Sequence, residues 1–433
     1  MPSRTITQGI IFSLQAASVG FVFSVFGPSL PDLQCLFNTS LKALSLLFVL
    51  LSLGLVFGQS ISGCLIKRFS PYLLMFIAVI LQSGSYILLP LPKEVYAATV
   101  VITLIGISSG LGICVILHMT NVVWPGNVRI THLLFSVASA GCVLGPLLLT
   151  PFLSDGTVTW KNQTNFVHSL PHLNSYCLDM DNETHVDGSI HACLNCQNVF
   201  TMIQFAFLLL GLFGVPSIVG QLTFFIKLKL EEVTGEYSTI NNETTKLNKP
   251  KAPYLVLMFL FLLQSQGFPS GFSALLSTFG VQSSHLSLSE MSLMTSFFWL
   301  VFTAGRLLSA FLSGRITQTN ILNVCMVGNV IGTVVLCGSF YWGRISLWST
   351  CVFYGLCSAP ILPAGIGWSR HVIQVTPNIE ASYMVSMSSG LVMPYICGFL
   401  MDTFGPYSFI YFFIAFCVYN CFIYISVHLY IKM

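Results

Sequence analysis

Apolar residues in this chain gather into long runs, each bounded by a few polar or turn-forming positions. Twelve such runs can be read, over roughly 8–29, 43–63, 72–91, 95–118, 131–153, 199–224, 253–276, 291–312, 319–340, 346–366, 382–401 and 407–430. Each is near the length that crosses about 30 Å of hydrocarbon. A run of that kind in lipid must be helical, because lipid offers its backbone no hydrogen-bond partner. One stretch breaks the pattern: Lys227 to Lys251 carries five lysines and four glutamates in 25 residues. It belongs in water and divides the chain into an N-terminal six-helix bundle (1–226), a cytoplasmic linker (227–252) and a C-terminal six-helix bundle (253–433). The predicted fold class is all-α: a polytopic membrane protein of twelve transmembrane helices in two six-helix halves.

Composition agrees. Only 7% of the 433 residues are charged and 55% are apolar, too few polar groups to cover a water-soluble domain, so lipid is the expected solvent. A net charge of +3 gives no reason to expect nucleic acid. Met1-Pro2-Ser3-Arg4 leads into an apolar run without a small-residue cleavage pattern, so the first span is expected to act as its own insertion signal.

Lys and Arg orient the bundle. With both termini in the cytoplasm, thirteen of the seventeen (Arg4, Lys67, Arg68, Arg129, the five linker lysines, Arg306, Arg315, Arg370 and Lys432) lie inside. Lys42, Lys93, Lys161 and Arg344 lie outside. Segment 154–197 is then extracellular. It holds the sequons at Asn162 and Asn182 and the cysteines Cys177, Cys193 and Cys196. Glycans are expected on these asparagines, and Asn38 is a further sequon close to the bilayer. A disulfide is expected among Cys177, Cys193, Cys196 and Cys35, with the pairing open. One CxxC without a second pair nearby is no zinc site, and no metal is expected. The predicted location is the plasma membrane.

An internal repeat ties the halves together. At one constant offset Gly58, Ser62, Leu65 and Arg68 match Gly305, Ser309, Leu312 and Arg315, and Gly20-Phe21 matches Gly267-Phe268. Each match falls in the same span of its half, and small residues at such places let helices approach closely. Two six-span halves around a polar linker are the architecture of transporters that rock about a midplane site.

Several short motifs now carry a resemblance. Gly27-Pro28-Ser29-Leu30-Pro31-Asp32-Leu33 closes the first span; His132 precedes Gly141 and Gly145-Pro146 in the fifth. Gly305-Arg306 stands in the eighth, Pro363-Ala364-Gly365-Ile366-Gly367-Trp368 in the tenth, and Gly390, Pro394 and Gly398 in the eleventh. In this order the motifs resemble the major facilitator superfamily, more narrowly its fucose–galactose–hexose symporter-like group and the sodium-dependent glucose transporter-like branch. The resemblance implies the major facilitator fold and sugar transport, with sodium as a possible coupling ion and no other cofactor. The departures concern acids. Lys67-Arg68 lacks the acid common there, Gly267-Phe268-Pro269 replaces a Gly-x-Glu, Arg370 stands where a Glu is usual, and no acid lies between Val95 and Asn127.

Polar groups within spans are costly unless they face a partner or a cavity. Gln15, Gln264, Gln266, Asn121, His132, Trp299 and Trp368 are the candidate substrate-binding residues, because sugar recognition needs amides and hydroxyls beside an aromatic face. Against this, each glutamine can serve a neighbouring helix, and both tryptophans can pack in the core. Gly58, Arg68, Gly305, Arg306, Arg315 and Pro363 are the candidate gating or structural residues. Arg306 is expected to snorkel or to tie its span to a cytoplasmic loop, and Arg370 and His371 to lie in a solvated one. Pro360 and Pro363 should bend the tenth span.

Three functions compete. The first is a transporter of a small polar solute, a hexose such as glucose, working by alternating access. The second is a non-transporting receptor or scaffold on the same fold. An enzyme is not expected, since paired intramembrane acids, His-x-x-x-His and Gly-x-Ser-x-Gly are all missing from the spans. The thinned acids predict uncoupled or weakly coupled uptake. The sequence leaves the oligomeric state open.

Overall fold

The chain is helical wherever the sequence supplies a long apolar run. The computed structural model describes residues 3–26, 29, 33, 36–37, 41–92, 94–125, 127–152, 159–161, 175–177, 191–195, 199–233, 252–284, 286 and 288–432. Ten helical segments among them are long and apolar enough to cross a bilayer, and the shorter helices Ile6–Phe21 and Val49–Leu65 supply the first two spans. The first five spans are Ser3–Phe21, Leu41–Leu65, Pro71–Leu88, Val95–Val123 and Val128–Leu149. The sixth is Val199–Leu212 continued by Val215–Val233. The second half has Ala252–Ser284, Leu288–Leu312 and Gln318–Cys337 as spans seven to nine. The tenth is Arg344–Ser358 with Ile361–Val372, the eleventh Pro377–Ser389 with Met393–Phe404, and the twelfth Ser408–Lys432.

Local chemistry sets several boundaries. Proline begins the third and eleventh spans at Pro71 and Pro377, where a missing N–H costs nothing. The ninth begins at Thr317, whose hydroxyl accepts from the Asn320 amide at 3.3 Å. The bend expected in the tenth span is present: helix stops at Ser358 and resumes at Ile361. Pro363 has no N–H, so the carbonyl of Ala359, four residues earlier, is left without its helical donor. Pro269, by contrast, lies inside an unbroken helix.

The repeat read from the sequence has a packing counterpart. A Cβ on Gly58 would stand 2.1 Å from the Ile107 carbonyl oxygen, and one on Gly305 2.7 Å from that of Leu356. These are contacts of the second span with the fourth and of the eighth with the tenth. A Cβ on Gly20 would meet the Ala138 carbonyl at 2.0 Å, and one on Gly267 would meet Gly390 Cα at 3.3 Å. Span one touches span five as span seven touches span eleven. Matching glycines thus serve matching helix contacts in the two halves.

Spans alternate direction, so the ends near the linker share one face, called here the linker face; the ends of spans five and six that flank 154–197 share the other, the loop face. Toward the loop face each half has its own core. Phe21, Phe26, Tyr86, Ile102 and Phe207 cluster in the first half, and Phe272, Phe298, Tyr354 and Phe409 in the second. Toward the linker face one cluster joins both halves, packing Ile113, Cys114, Leu117 and Phe135 with Leu362, Ile366, Tyr383 and Met387.

Segment 154–197 adds something the all-helical reading did not foresee. Strands β1 (Thr159–Lys161), β2 (Ser175–Cys177) and β3 (His191–Asn195) form an antiparallel sheet in the order β1-β3-β2. Cys177 and Cys193 are register partners in it. Asn38, Asn162, Asn182, Cys35, Cys196 and linker residues 234–251 lie outside the described residues.

Candidate functional site

The halves are joined by polar contacts at the linker face. His132, buried in the fifth span, bridges to the second half twice. Its Nδ1 is 2.8 Å from Ser309 Oγ and its Nε2 3.0 Å from Gln318 Oε1. Arg129 Nε donates to the Ala310 carbonyl at 3.1 Å. Asn378, with its amide oriented to satisfy both atoms, donates to the Gly63 carbonyl at 2.8 Å and accepts from Lys67 Nζ at 3.1 Å. The densest knot surrounds Glu380. Asn121 Nδ2 donates to its Oε1, His118 Nδ1 is 3.3 Å from its Oε2, and Arg370 Nη2 lies 3.7 Å from Oε1. Arg370 Nη1 also donates to Thr131 Oγ1 at 3.2 Å. Each of these groups but Arg370 comes from the half opposite Glu380, so the knot is a lock on a closed linker face.

Above the lock lies a cavity between the halves. Val19, Gln59, Ile113, Phe135, Ser139 and Cys142 line it from the first half, and Gln266, Trp299, Phe302, Arg306 and Met387 from the second. Its volume is about 40 Å³, room for about three waters. In this closed state it is a slot that must widen to admit a sugar-sized molecule.

Two side chains give the slot its chemistry. Gln59 is fully buried, and neither amide atom has a hydrogen-bond partner among the described residues. A buried unpaired polar group costs about 1–3 kcal/mol, a cost that a ligand hydroxyl would remove. Arg306 is 7% exposed. Its Nε donates to the Ala359 carbonyl at 3.3 Å, the oxygen that Pro363 leaves free. Its Nη1 donates to the Phe135 carbonyl at 3.0 Å and Ser139 Oγ at 2.5 Å. The guanidinium stands 4.7 Å from the Phe302 ring centre, a cation–π contact. Among the described residues no carboxylate pairs with it. Arg306 therefore ties the eighth span to the fifth and to the tenth-span break, whereas the sequence suggested a cytoplasmic loop.

The other candidates divide. Gln266 and Trp299 line the slot. Gln15 does not: its Nε2 donates to the Met75 carbonyl at 3.3 Å and its Oε1 accepts from Gln221 at 3.1 Å, within the first half. Gln264 is fully buried with both amide atoms unpartnered among the described residues, away from the slot lining. Asn121 and His132 serve the closed face. Trp368 packs against Phe261 and Tyr424 in the shared core. Arg68 and Arg315 are exposed on the linker face, and Pro363 is buried at the tenth-span break. Arg370, expected in a solvated loop, is instead a helical residue 17% exposed and held by Glu380. Glu380 belongs to a helix and is buried. Gln59 and Glu380 were missed as site residues. The signal for Gln59 was present: an amide in the middle of an apolar run, beside the repeated glycine.

No family model matches the chain. Its relatives include the sodium-dependent glucose transporter 1 of Danio rerio, 22% identical over 88% of this chain, and that of Homo sapiens, 24% identical over 88%. Its fold matches the outward conformation of FucP, a major facilitator superfamily transporter, with a TM-score of 0.64 at 13% identity over 96% of this chain and 99% of that one. The chain has the major facilitator fold. A second fold match is the major facilitator superfamily proton:xylose symporter XylE bound to 6-bromo-6-deoxy-D-glucose, TM-score 0.64 and 13% identity, over 98% of this chain and 96% of that one. The resemblance to the sodium-dependent glucose transporter-like branch is borne out by the named relatives. The chain spans 62% of the length of the Danio rerio relative and 71% of that of the human one.

Proposed function

We propose that this protein moves a hexose across the plasma membrane by alternating access, without strict coupling to sodium. The observation that carries the reading is the interhalf slot closed at the linker face. Its walls combine an unsatisfied amide (Gln59), a second amide (Gln266), a hydroxyl (Ser139), a guanidinium (Arg306) and an indole (Trp299), the donors, acceptors and aromatic face a sugar ring requires. The names of the relatives and the sugar bound to XylE support the same class of solute.

The lack of coupling follows from charge. Among the described residues the slot lining includes one charged side chain, Arg306, and no carboxylate. A sodium ion bound about 5 Å from that guanidinium would be repelled by about 3 kcal/mol at an effective dielectric of 20. Glu290, in the first turn of span eight, is paired with Arg344 Nε at 2.5 Å.

Uptake of labelled glucose into proteoliposomes tests the proposal. Uptake should persist with choline in place of sodium and should stop at equal concentrations on both sides. Strict sodium dependence with accumulation would remove the uncoupled reading, and the absence of sugar-specific uptake by folded protein would favour a receptor or scaffold.

A further inference from the structure

A second cavity opens at the linker face, beneath the lock and separate from the slot. Its volume is about 760 Å³, and both halves build it. The first half supplies Asn127 and Arg129 from the turn between spans four and five. The second supplies Arg315, Gln318 and Thr319 from the turn into span nine, and His371 from the end of span ten.

The lining is rich in donors and, among the described residues, has no acid. Arg315 is exposed and has no ion-pair partner among the described residues. Arg129 commits its Nε to the Ala310 carbonyl, leaving both Nη groups. Gln318 is 5% exposed; its Oε1 is taken by His132, while its Nε2 has no partner among the described residues. The first N–H groups of span nine have no helical acceptor and carry the positive end of the helix dipole. Two guanidiniums, an imidazole, the unpaired amide nitrogen of a largely buried side chain and a helix start facing one hollow, with no carboxylate among the described lining residues, call for a multiply charged oxyanion. Guanidinium pairs suit phosphate oxygens, and the cleft is larger than one carboxylate needs.

We propose that this cleft binds a phosphate-bearing anion, an inositol phosphate or the headgroup of a phosphoinositide, and that the bound anion holds the linker face closed. The binding is independent of the transport reading; the second step rests on it. A ligand favours the state for which it has the higher affinity. Arg129 moves with one half, and Arg315 and Gln318 with the other. An anion touching both sides stabilises the closed arrangement and loses half its partners when the face opens.

The full chain, purified in detergent and in phosphatidylcholine nanodiscs, tests this. Soluble inositol trisphosphate is titrated against the detergent-solubilised protein, and nanodiscs are compared with and without phosphatidylinositol bisphosphate. Binding should weaken about tenfold or more in Arg315→Gln, the loss expected for one charge-assisted hydrogen bond. Among the described residues the Arg315 side chain has no hydrogen bond or ion pair that the change would break. Arg68→Gln, exposed on the same face but outside the cleft, should leave binding within about twofold, as for an ordinary surface charge. Bound anion should also slow alkylation of Cys114, which is buried where the halves meet. Saturation by the soluble probe assigns a free phosphate ligand; an effect confined to phosphoinositide nanodiscs assigns a lipid, and either supports the site. The proposal is overturned if neither probe binds, if Arg68→Gln costs as much as Arg315→Gln, or if binding leaves the Cys114 rate unchanged.

Discussion

Neutralising Glu380 should unlock the linker face. In Glu380→Gln the side chain keeps its size but loses the charge that Asn121, His118 and Arg370 converge on. Solvent screens these contacts little, since the Glu380 side chain is 5% exposed, His118 20% and Arg370 17%. A hydrogen bond to a charged group contributes about 1.5–3 kcal/mol. When the face opens, Glu380 is rehydrated and separated from His118 and Asn121, so this amount is lost only from the closed state. At 1.4 kcal/mol per tenfold, the open population should rise by about 10- to 150-fold. Cys114 offers the readout: it is 2% exposed and lies in the cluster shared by the halves. Its alkylation, followed by peptide mass mapping, should accelerate by the same factor. Cys64, already exposed, should keep its rate, and so should Cys351, buried in the second half's own core. An unchanged Cys114 rate, or Cys114 and Cys351 accelerating together, would refute the lock.

Gln59→Ala and Gln266→Ala should lower hexose uptake about tenfold at unchanged expression, whereas Gln15→Ala should lower thermal stability first, since Gln15 bonds Met75 and Gln221; equal effects on uptake in all three would contradict this. Gly58→Ala and Gly305→Ala should each destabilise the protein by about 1–3 kcal/mol by overpacking matched helix contacts, measured as a fall in melting temperature, with the larger fall at Gly58 because its Cβ would meet a carbonyl at 2.1 Å rather than 2.7 Å. Changing both Asn162 and Asn182 to Gln should abolish the mobility shift on deglycosylation; a shift that instead depends on Asn242 would invert the orientation. Cys177 and Cys193, register partners in the loop sheet, should resist alkylation until reductant is added.

The spans were legible because length and apolarity are local properties. All twelve fall where the runs lie, and the repeated glycines could be read as close contacts before any contact was known. The site was harder. Gln15, Gln264 and Gln266 are alike in sequence, each an amide in an apolar run, yet one bonds within its half, one is sealed away from the slot and one lines it. Which outcome occurs depends on the helix face turned to the slot, a matter of tertiary packing. Glu380 and Arg370 looked like span-end charges because hydropathy cannot show that span eleven enters opposite span four. Gln59 stood in plain view as the neighbour of a repeated glycine. That glycine brings span two against span four, and the next residue is then buried.

The division of apolar cores carries a thermodynamic consequence. Toward the loop face each half keeps its own core, but toward the linker face one cluster is shared. Opening that face splits the shared cluster and wets it. Closing therefore has a negative heat capacity change, like folding in miniature. Such an equilibrium has an optimum temperature and weakens on cooling, because burial of apolar surface loses strength in the cold. The facing preference of this protein is accordingly a thermal property, and chilling should loosen the linker face while leaving each half intact.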